Sequence, residues 1–112
     1  MRMFFLTPLE EKAVREFSSR IKNALKNNLF DLKLFGSKST GKFHDESDID
    51  ILIIVNKRNE QTLDIISEIL LDIELKYDSR LSPVVLTASE FLQNQKHQTL
   101  FYNEVARDGV TL

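Results

Sequence analysis

The chain has 112 residues, of which 42% are hydrophobic, and this is enough for one compact domain around one core. Its formal net charge is −2, and the basic residues are scattered among the acidic ones, so the sequence lacks the basic face that grips a nucleic-acid backbone. The absence of cysteine excludes disulfides, thiolate zinc sites and cysteine nucleophiles. We therefore expect a single domain over residues 1–112 that does not bind nucleic acid.

The N-terminus predicts a cytoplasmic protein. The apolar stretch in residues 1–6 is much shorter than a signal peptide or a membrane span, and a polar helix start follows it at once. In that start, Thr7 is the expected N-cap, Pro8 occupies the first helical position, and Glu10 closes a capping box. The helix should end near Asn27 and Asn28. Its apolar stripe is formed by Leu9, Ala13, Phe17, Ile21, Ala24 and Leu25.

Two strands are predicted next. Residues 29–35 alternate between apolar and polar, which is typical of a partly exposed strand, and this strand leads into Gly36 and Ser37. A polar connection over residues 37–47 follows. Residues 49–55 form the most apolar run of the chain, so we expect a central strand that is buried on both faces.

The second half of the chain predicts helices around one more strand. Asn59 or a neighbour caps a long helix, whose stripe is formed by Leu63, Ile66, Ile69, Leu70, Ile73 and Tyr77. Residues 83–86 predict a short strand, in which Pro83 suits a strand start or an edge. Thr87 to Glu90 is a second capping box, and a last helix covers residues 99–107 with Gly109 as an expected left-handed terminator. The order α-β-β-α-β-α-α predicts an α/β (α+β) fold with a three-stranded mixed sheet.

Asp48 and Asp50 flank an isoleucine at the head of the central strand. Side chains at i and i+2 of a strand share one face, so the two carboxylates would lie about 6 to 7 Å apart. Charged residues are expected at the start of so apolar a strand only if a bound group there requires negative charge. Magnesium bound with a nucleotide phosphate is the natural candidate.

The glycine-rich residues 36–42 match the first seven positions of a phosphate-binding P-loop, but the context contradicts that interpretation. Phe43 stands where the motif needs Ser or Thr, and four residues before the next strand cannot form the helix that should follow. The alternative is that the two strands bring the glycine turn and the aspartates to one site. Gly36 would then let its backbone N–H approach a phosphate oxygen, and Ser37 would add a hydroxyl donor.

Gly36-Ser37, ten intervening residues and Asp48-Ile49-Asp50 together resemble the signature of the DNA polymerase beta-like nucleotidyltransferase superfamily. The short chain, its N-terminal helix and the ending at residues 102–110 are similar to the minimal nucleotidyltransferase (MNT) antitoxin group, which pairs with HEPN proteins. The resemblance implies a polymerase beta-like palm fold. It also implies an enzyme that binds ATP with Mg²⁺ and transfers AMP to a hydroxyl acceptor, for example a tyrosine of a helical HEPN toxin.

By the same resemblance, Asp48 and Asp50 would hold Mg²⁺ and carry catalysis, and Gly36 and Ser37 would contact the triphosphate. Lys38 and Lys42 would assist in nucleotide binding. A domain of this size has no second lobe for the acceptor, so we expect a HEPN-type partner or a second copy of the chain to complete that site.

Two departures from the family pattern leave alternatives open. Ser82 stands where active members usually carry a third carboxylate, for which Asp78 or Glu90 are nearby candidates. The second departure is at Lys38-Ser39-Thr40, where relatives often offer an arginine. The chain could therefore be an active nucleotidyltransferase, a nucleotide-binding module without turnover, or an interaction protein that blocks its partner by contact.

Overall fold

The computed structural model describes residues 5–36 and 48–112. Along these residues the elements are α1 (Pro8–Leu25), a short 3₁₀ helix (Lys26–Asn28), β1 (Leu29–Phe35), β2 (Ile49–Val55), α2 (Glu60–Tyr77), β3 (Leu81–Thr87), α3 (Ala88–Lys96), α4 (Leu100–Asp108) and β4 (Val110–Thr111). The α+β class and the order of the seven expected elements agree with the sequence-based prediction.

The sheet is mixed and has four strands in the order β3-β2-β1-β4, so the expectation of three strands was wrong. β1 runs antiparallel to both β2 and β4, while β2 and β3 are parallel. The fourth strand is only two residues long, which is too short to show an alternation of apolar and polar residues. It forms because Val110 and Thr111 pair with Leu34 and Lys33.

Gly109 ends α4 in an extended conformation, with φ −68° and ψ 141°, and not in the predicted left-handed one. This conformation sends the chain directly into β4. A Cβ at this position would lie 2.5 Å from the carbonyl oxygen of Val105, so the close approach of two backbone segments requires the glycine.

β2 is the central strand in the packing as well as in the sheet order. The side chains of Ile51 to Val55 are at most 1% exposed, as the apolar run predicts. Ile51 and Ile53 face α1 and α2, whereas Leu52 and Ile54 face α3 and α4. Because side chains alternate along a strand, Asp50 lies on the same face as Leu52 and Ile54.

The helices begin at the predicted caps, but the buried faces of α1 and α2 are rotated relative to the predicted apolar stripes. Thr7 and Glu10 form the predicted capping box, and Asn59 caps α2 by accepting a hydrogen bond from the backbone of Thr62 at 2.9 Å. Leu9 is 52% exposed and Leu63 is 40% exposed. The residues buried in their place are Val14, Ser18 and Thr62.

The start of α3 is fixed at the end of β3. Thr87 and Glu90 form the second predicted capping box. The Glu90 carboxylate also accepts two hydrogen bonds from the guanidinium of Arg58, at 2.6 and 2.8 Å, and these bonds are the main reason that the pKa of Glu90 is lowered. Across the part of the chain that the structure describes, no helix is long and apolar enough to cross a membrane.

Candidate functional site

The candidate site lies where three strand ends meet. Gly36 follows the last residue of β1, Asp48 precedes the first residue of β2, and β3 begins beside them. Asp50 is paired with Phe35 on β1 and with Ser82 on β3. The structure therefore brings together the glycine and the two aspartates, which the sequence predicts as one site. It does so through an antiparallel β1–β2 pair, whereas a P-loop belongs to a parallel βαβ unit.

Gly36 is in direct contact with Asp50. Its φ of +78° is in the region that only glycine adopts without strain. A Cβ at Gly36 would overlap the Asp50 carboxylate and would lie 3.3 Å from the Asp50 Cβ. Glycine is thus needed both for the turn and for the space that the carboxylate fills.

Asp50 is half-buried, and Asp48 is exposed. Burial is the main cause that raises the pKa of the Asp50 carboxyl above its ordinary value, and the negative charges of Asp48 and Glu104 raise that pKa further. A cation bound by Asp48 and Asp50 would offset this repulsion.

Glu104 is a residue that the motif analysis missed. It lies on α4, one turn after Phe101, whose ring packs edge-on against the ring of Phe35 at 5.5 Å between centroids. Phe35 is the cross-strand neighbour of Asp50, so this contact holds α4 beside the site. The spacing between Phe101 and Glu104 is visible in the sequence, but the packing of α4 over β1 is not.

Arg80 is a second residue that the motif analysis missed. Its Nε lies 3.6 Å from Oδ1 of Asp48. Its carbonyl oxygen accepts a hydrogen bond from the backbone N–H of Ile49 at 3.0 Å, which fixes the start of β3 against the start of β2. The Arg80 guanidinium thus places a positive charge beside the Asp48 carboxylate.

The register partner of Asp50 on β3 is Ser82, so the strand position next to Asp50 carries a hydroxyl and not a carboxylate. Glu90 lies far along β3 from this position. It lies at the opposite end of β3, where it is bound to Arg58 and to the backbone N–H of Thr87. Asp78 is the left-handed C-cap residue of α2.

Ser37, Lys38 and Lys42 lie outside the described residues. Within residues 5–36 and 48–112, no three His, Cys, Asp or Glu side chains are grouped as a complete metal site. The Asp48 and Asp50 carboxylates nevertheless fit Mg²⁺, which commonly takes one or two protein carboxylates and completes its shell with water and substrate phosphates.

Residues 19–112 match the family model described as "Polymerase beta, Nucleotidyltransferase". Two proteins of Methanocaldococcus jannaschii are similar over most of their length. "Putative protein adenylyltransferase MJ0604" is 34% identical over 92% of this chain and 97% of its own. "Putative protein adenylyltransferase MJ0141" is 32% identical over 87% of this chain and 92% of its own.

Three solved structures share the fold. Spectinomycin adenyltransferase AAD(9) from Enterococcus faecialis, with ATP and spectinomycin, superposes with a TM-score of 0.71 at 17% identity, over 91% of this chain and 55% of its own. A "putative nucleotidyltransferase" from Sulfolobus solfataricus superposes with a TM-score of 0.51 at 21% identity, over 95% of this chain and 86% of its own. A mutant form of the toxin-antitoxin MntA-HpeT superposes with a TM-score of 0.51 at 20% identity, over 92% of this chain and 70% of its own.

Proposed function

This chain belongs to the polymerase beta nucleotidyltransferase family, and we propose that it is a magnesium-dependent adenylyltransferase that moves AMP from ATP to a hydroxyl of a partner protein. The observation that carries the proposal is the Gly36–Asp50 contact next to Asp48, because it places two carboxylates, which are usual protein ligands of phosphate-bound Mg²⁺, beside a glycine turn. The family match over residues 19–112 supports the reaction class. The names of the two M. jannaschii relatives support a protein as the acceptor.

In this proposal Asp48 and Asp50 hold Mg²⁺, and Gly36 and Ser37 contact the triphosphate, with Lys38 and Lys42 adding positive charge. Magnesium, when bound, neutralises phosphate charge and polarises the α-phosphate. The acceptor oxygen forms a bond to the α-phosphorus, the bond to pyrophosphate breaks, and the acceptor hydroxyl loses its proton. Glu104 is the carboxylate that we assign to accept that proton, since its charge acts on Asp50 and it lies on an exposed part of α4.

We assign the acceptor to a tyrosine of a helical HEPN-type toxin, for which this chain would be the antitoxin. The chain spans 55% of the length of spectinomycin adenyltransferase, and we assign the rest of the acceptor site to a partner or to a second copy of the chain. The likeness to the toxin-antitoxin MntA-HpeT supports the first choice. Leu100 is 89% exposed and lies one turn before Glu104 on α4, which offers such a partner an apolar contact beside the site.

A second candidate function is nucleotide binding without turnover. It is favoured by the pairing of Ser82 with Asp50, because the strand position next to the acidic pair then holds neither a metal ligand nor a base. In this case the chain would act on its partner by contact.

Labelling of proteins in a lysate of the native organism tests the proposal. We expect the wild-type protein to transfer label from ATP marked at the α-phosphate and none from ATP marked at the γ-phosphate, because the β- and γ-phosphates leave as pyrophosphate. The Asp48→Asn/Asp50→Asn variant should transfer neither. If the wild type binds ATP without transferring label and Ser82→Asp restores transfer, the second candidate is correct.

A further inference from the structure

Ser82 is a partly buried nucleophile beside the candidate site that the proposed mechanism does not use. It is the register partner of Asp50, and residues paired directly across two strands point to the same face of a sheet. The backbones of the two residues are therefore separated by one strand spacing, about 4.8 Å. Val84 and Leu86, two and four residues further along β3, lie in the core cluster under α3 and α4, which confirms that Ser82 shares the face of Asp50.

The backbone around Ser82 is held on both sides along the chain. Pro83 follows it, and a residue before proline is restricted to extended conformations. Leu81 precedes it, and the backbone N–H of Leu81 donates to the carboxylate of Glu74, in the last turn of α2, at 3.2 Å. The position of Ser82 relative to Asp50 is thus set by the strand pairing and by these two constraints.

The hydroxyl of Ser82 is accessible. Within residues 5–36 and 48–112, the Ser82 side chain makes no hydrogen bond, and no fully buried polar side-chain atom lacks a partner. The Ser82 Oγ must therefore be open to solvent. Two hydroxyls that precede it in the chain are engaged, because Ser79 donates to the carbonyl of Tyr77 at 3.3 Å and Tyr77 donates to Glu16 at 2.8 Å. Of these three hydroxyls, that of Ser82 is the one available beside Asp50.

We propose that Ser82 is an acceptor of AMP within its own chain, because its hydroxyl is held beside the carboxylates that would hold the nucleotide. This inference rests on the proposed function and extends it by naming an acceptor. The Ser82 Oγ forms a bond to the α-phosphorus of ATP, the bond between that phosphorus and the leaving pyrophosphate breaks, and the hydroxyl proton passes to the Glu104 carboxylate. The product is a phosphodiester that links Ser82 to adenosine.

This self-modification limits itself. The attached AMP stays tethered next to Asp50, where it occupies the space of the next nucleotide and adds a negative charge to the acidic pair. An acceptor held in the same chain acts at a high effective concentration, so the reaction needs no partner. A chain that meets no partner would therefore modify itself once and then stop.

Incubation of the purified protein with ATP and Mg²⁺ alone tests the inference, with the intact mass as the readout. We expect the wild type to gain one adenylyl group per chain, at a rate that does not depend on protein concentration. Trypsin cleaves after Arg80, so Ser82 lies in the peptide 81–96 and Ser79 lies in the peptide 77–80. Fragmentation of the modified peptide then assigns the acceptor residue in the wild-type protein itself.

The matched control is Ser79→Ala, which removes a hydroxyl from the loop before β3. We expect this control to gain the adenylyl group as the wild type does, and Ser82→Ala to gain none. In calorimetry, the modified wild type should lose affinity for a non-hydrolysable ATP analogue relative to the unmodified protein, because the attached AMP occupies the site.

Three results would overturn the inference while leaving the proposed function intact. They are an adenylyl group on a residue other than Ser82, a rate that rises with protein concentration, and no gain of mass by a wild type that labels a protein of the lysate. A wild type that labels neither itself nor any protein of the lysate would instead overturn the proposed function, and with it the role of Ser82.

Discussion

At the scale of single residues, the site depends on the contact between a glycine and a carboxylate. Gly36 has the positive φ of a turn, and it leaves the space that the Asp50 carboxylate occupies. The chain thus keeps a partly buried acid at the head of its most apolar strand, which costs stability unless a cation is bound. This arrangement is expected at a functional site and is not expected at an ordinary strand end.

Gly36→Ala should damage folding and nucleotide binding together. The added Cβ is strained at φ +78° and overlaps the Asp50 carboxylate, so we expect a loss of at least about 1–2 kcal/mol in the free energy of unfolding. Urea denaturation measures this loss, and calorimetry measures the affinity for the ATP analogue. Gly109→Ala is the control, because its Cβ would also meet a close backbone atom but not the Asp50 carboxylate, so its affinity should be kept. Equal affinities in the wild type and Gly36→Ala would contradict this role of the glycine.

Asp50→Asn should stabilise the metal-free protein at neutral pH. The folded-state pKa of Asp50 is raised, so the folded state holds this proton more tightly than the unfolded state does, and stability falls as pH rises through the raised pKa. The cost is fully present above the raised pKa and vanishes below the unfolded pKa of about 4. We therefore expect a higher melting temperature for Asp50→Asn at pH 7 with chelator, and no advantage below about pH 4.

The control for this measurement is Asp64→Asn, which removes the same charge from an exposed position on α2. An advantage of Asp50→Asn that does not change with pH, or a lower melting temperature at pH 7, would show that burial of the Asp50 charge does not govern its effect on stability.

At the scale of elements, local signals were sufficient for the helix starts. Thr7, Asn59 and Thr87 all cap helices as predicted, because capping depends on residues within one turn. The buried helix faces were less well predicted, since the crossing of α1 and α2 over the sheet buries Thr62 and leaves Leu63 exposed. Helical periodicity alone cannot decide between adjacent faces.

Parts of the site that come from distant elements could not be predicted from the sequence. The glycine and the two aspartates belong to neighbouring strands, and their spacing was sufficient to place them together. Glu104 and Arg80 reach the site because α4 packs on β1 through Phe101 and because β3 pairs in register with β2. Both facts depend on the tertiary arrangement.

Glu104→Gln tests the contribution of α4 to the chemistry. If Glu104 accepts the proton of the acceptor hydroxyl, the rate of AMP transfer should fall about 100-fold or more. Affinity for the ATP analogue should be unchanged or higher, because a negative charge is removed from near the phosphates. The transfer rate at saturating ATP is the measurement, with Glu60→Gln in the first turn of α2 as the control. A rate equal to that of the control would exclude Glu104 as the base.

At the scale of the whole molecule, the chain matches nearly the full length of its M. jannaschii relatives but only 55% of spectinomycin adenyltransferase. The shared part is the nucleotidyltransferase fold, in which Asp48 and Asp50 lie at the start of the inner strand β2. The surface beside these aspartates includes Leu100 on α4 and lies on the opposite face of the sheet from α1 and α2. A partner that supplies the acceptor would bind there.

Leu100→Glu should therefore abolish labelling of the partner without changing nucleotide binding. The side chain is 89% exposed, so the substitution should not disturb the core. Leu75→Glu is the matched control, because Leu75 is 76% exposed but lies on α2, on the other face of the sheet. Labelling by the two variants is compared in the same lysate. Equal loss in both variants, or in neither, would contradict a partner contact at α4.

The central claim is that Asp48, Asp50 and Gly36 form a site for ATP and a divalent metal. Calorimetric titration with a non-hydrolysable ATP analogue, with and without Mg²⁺, tests it most directly when the wild type is compared with Asp48→Asn/Asp50→Asn. We predict binding that requires Mg²⁺ in the wild type and is lost in the folded double variant. Equal affinity in the two proteins, or no binding by the folded wild type, would contradict the claim.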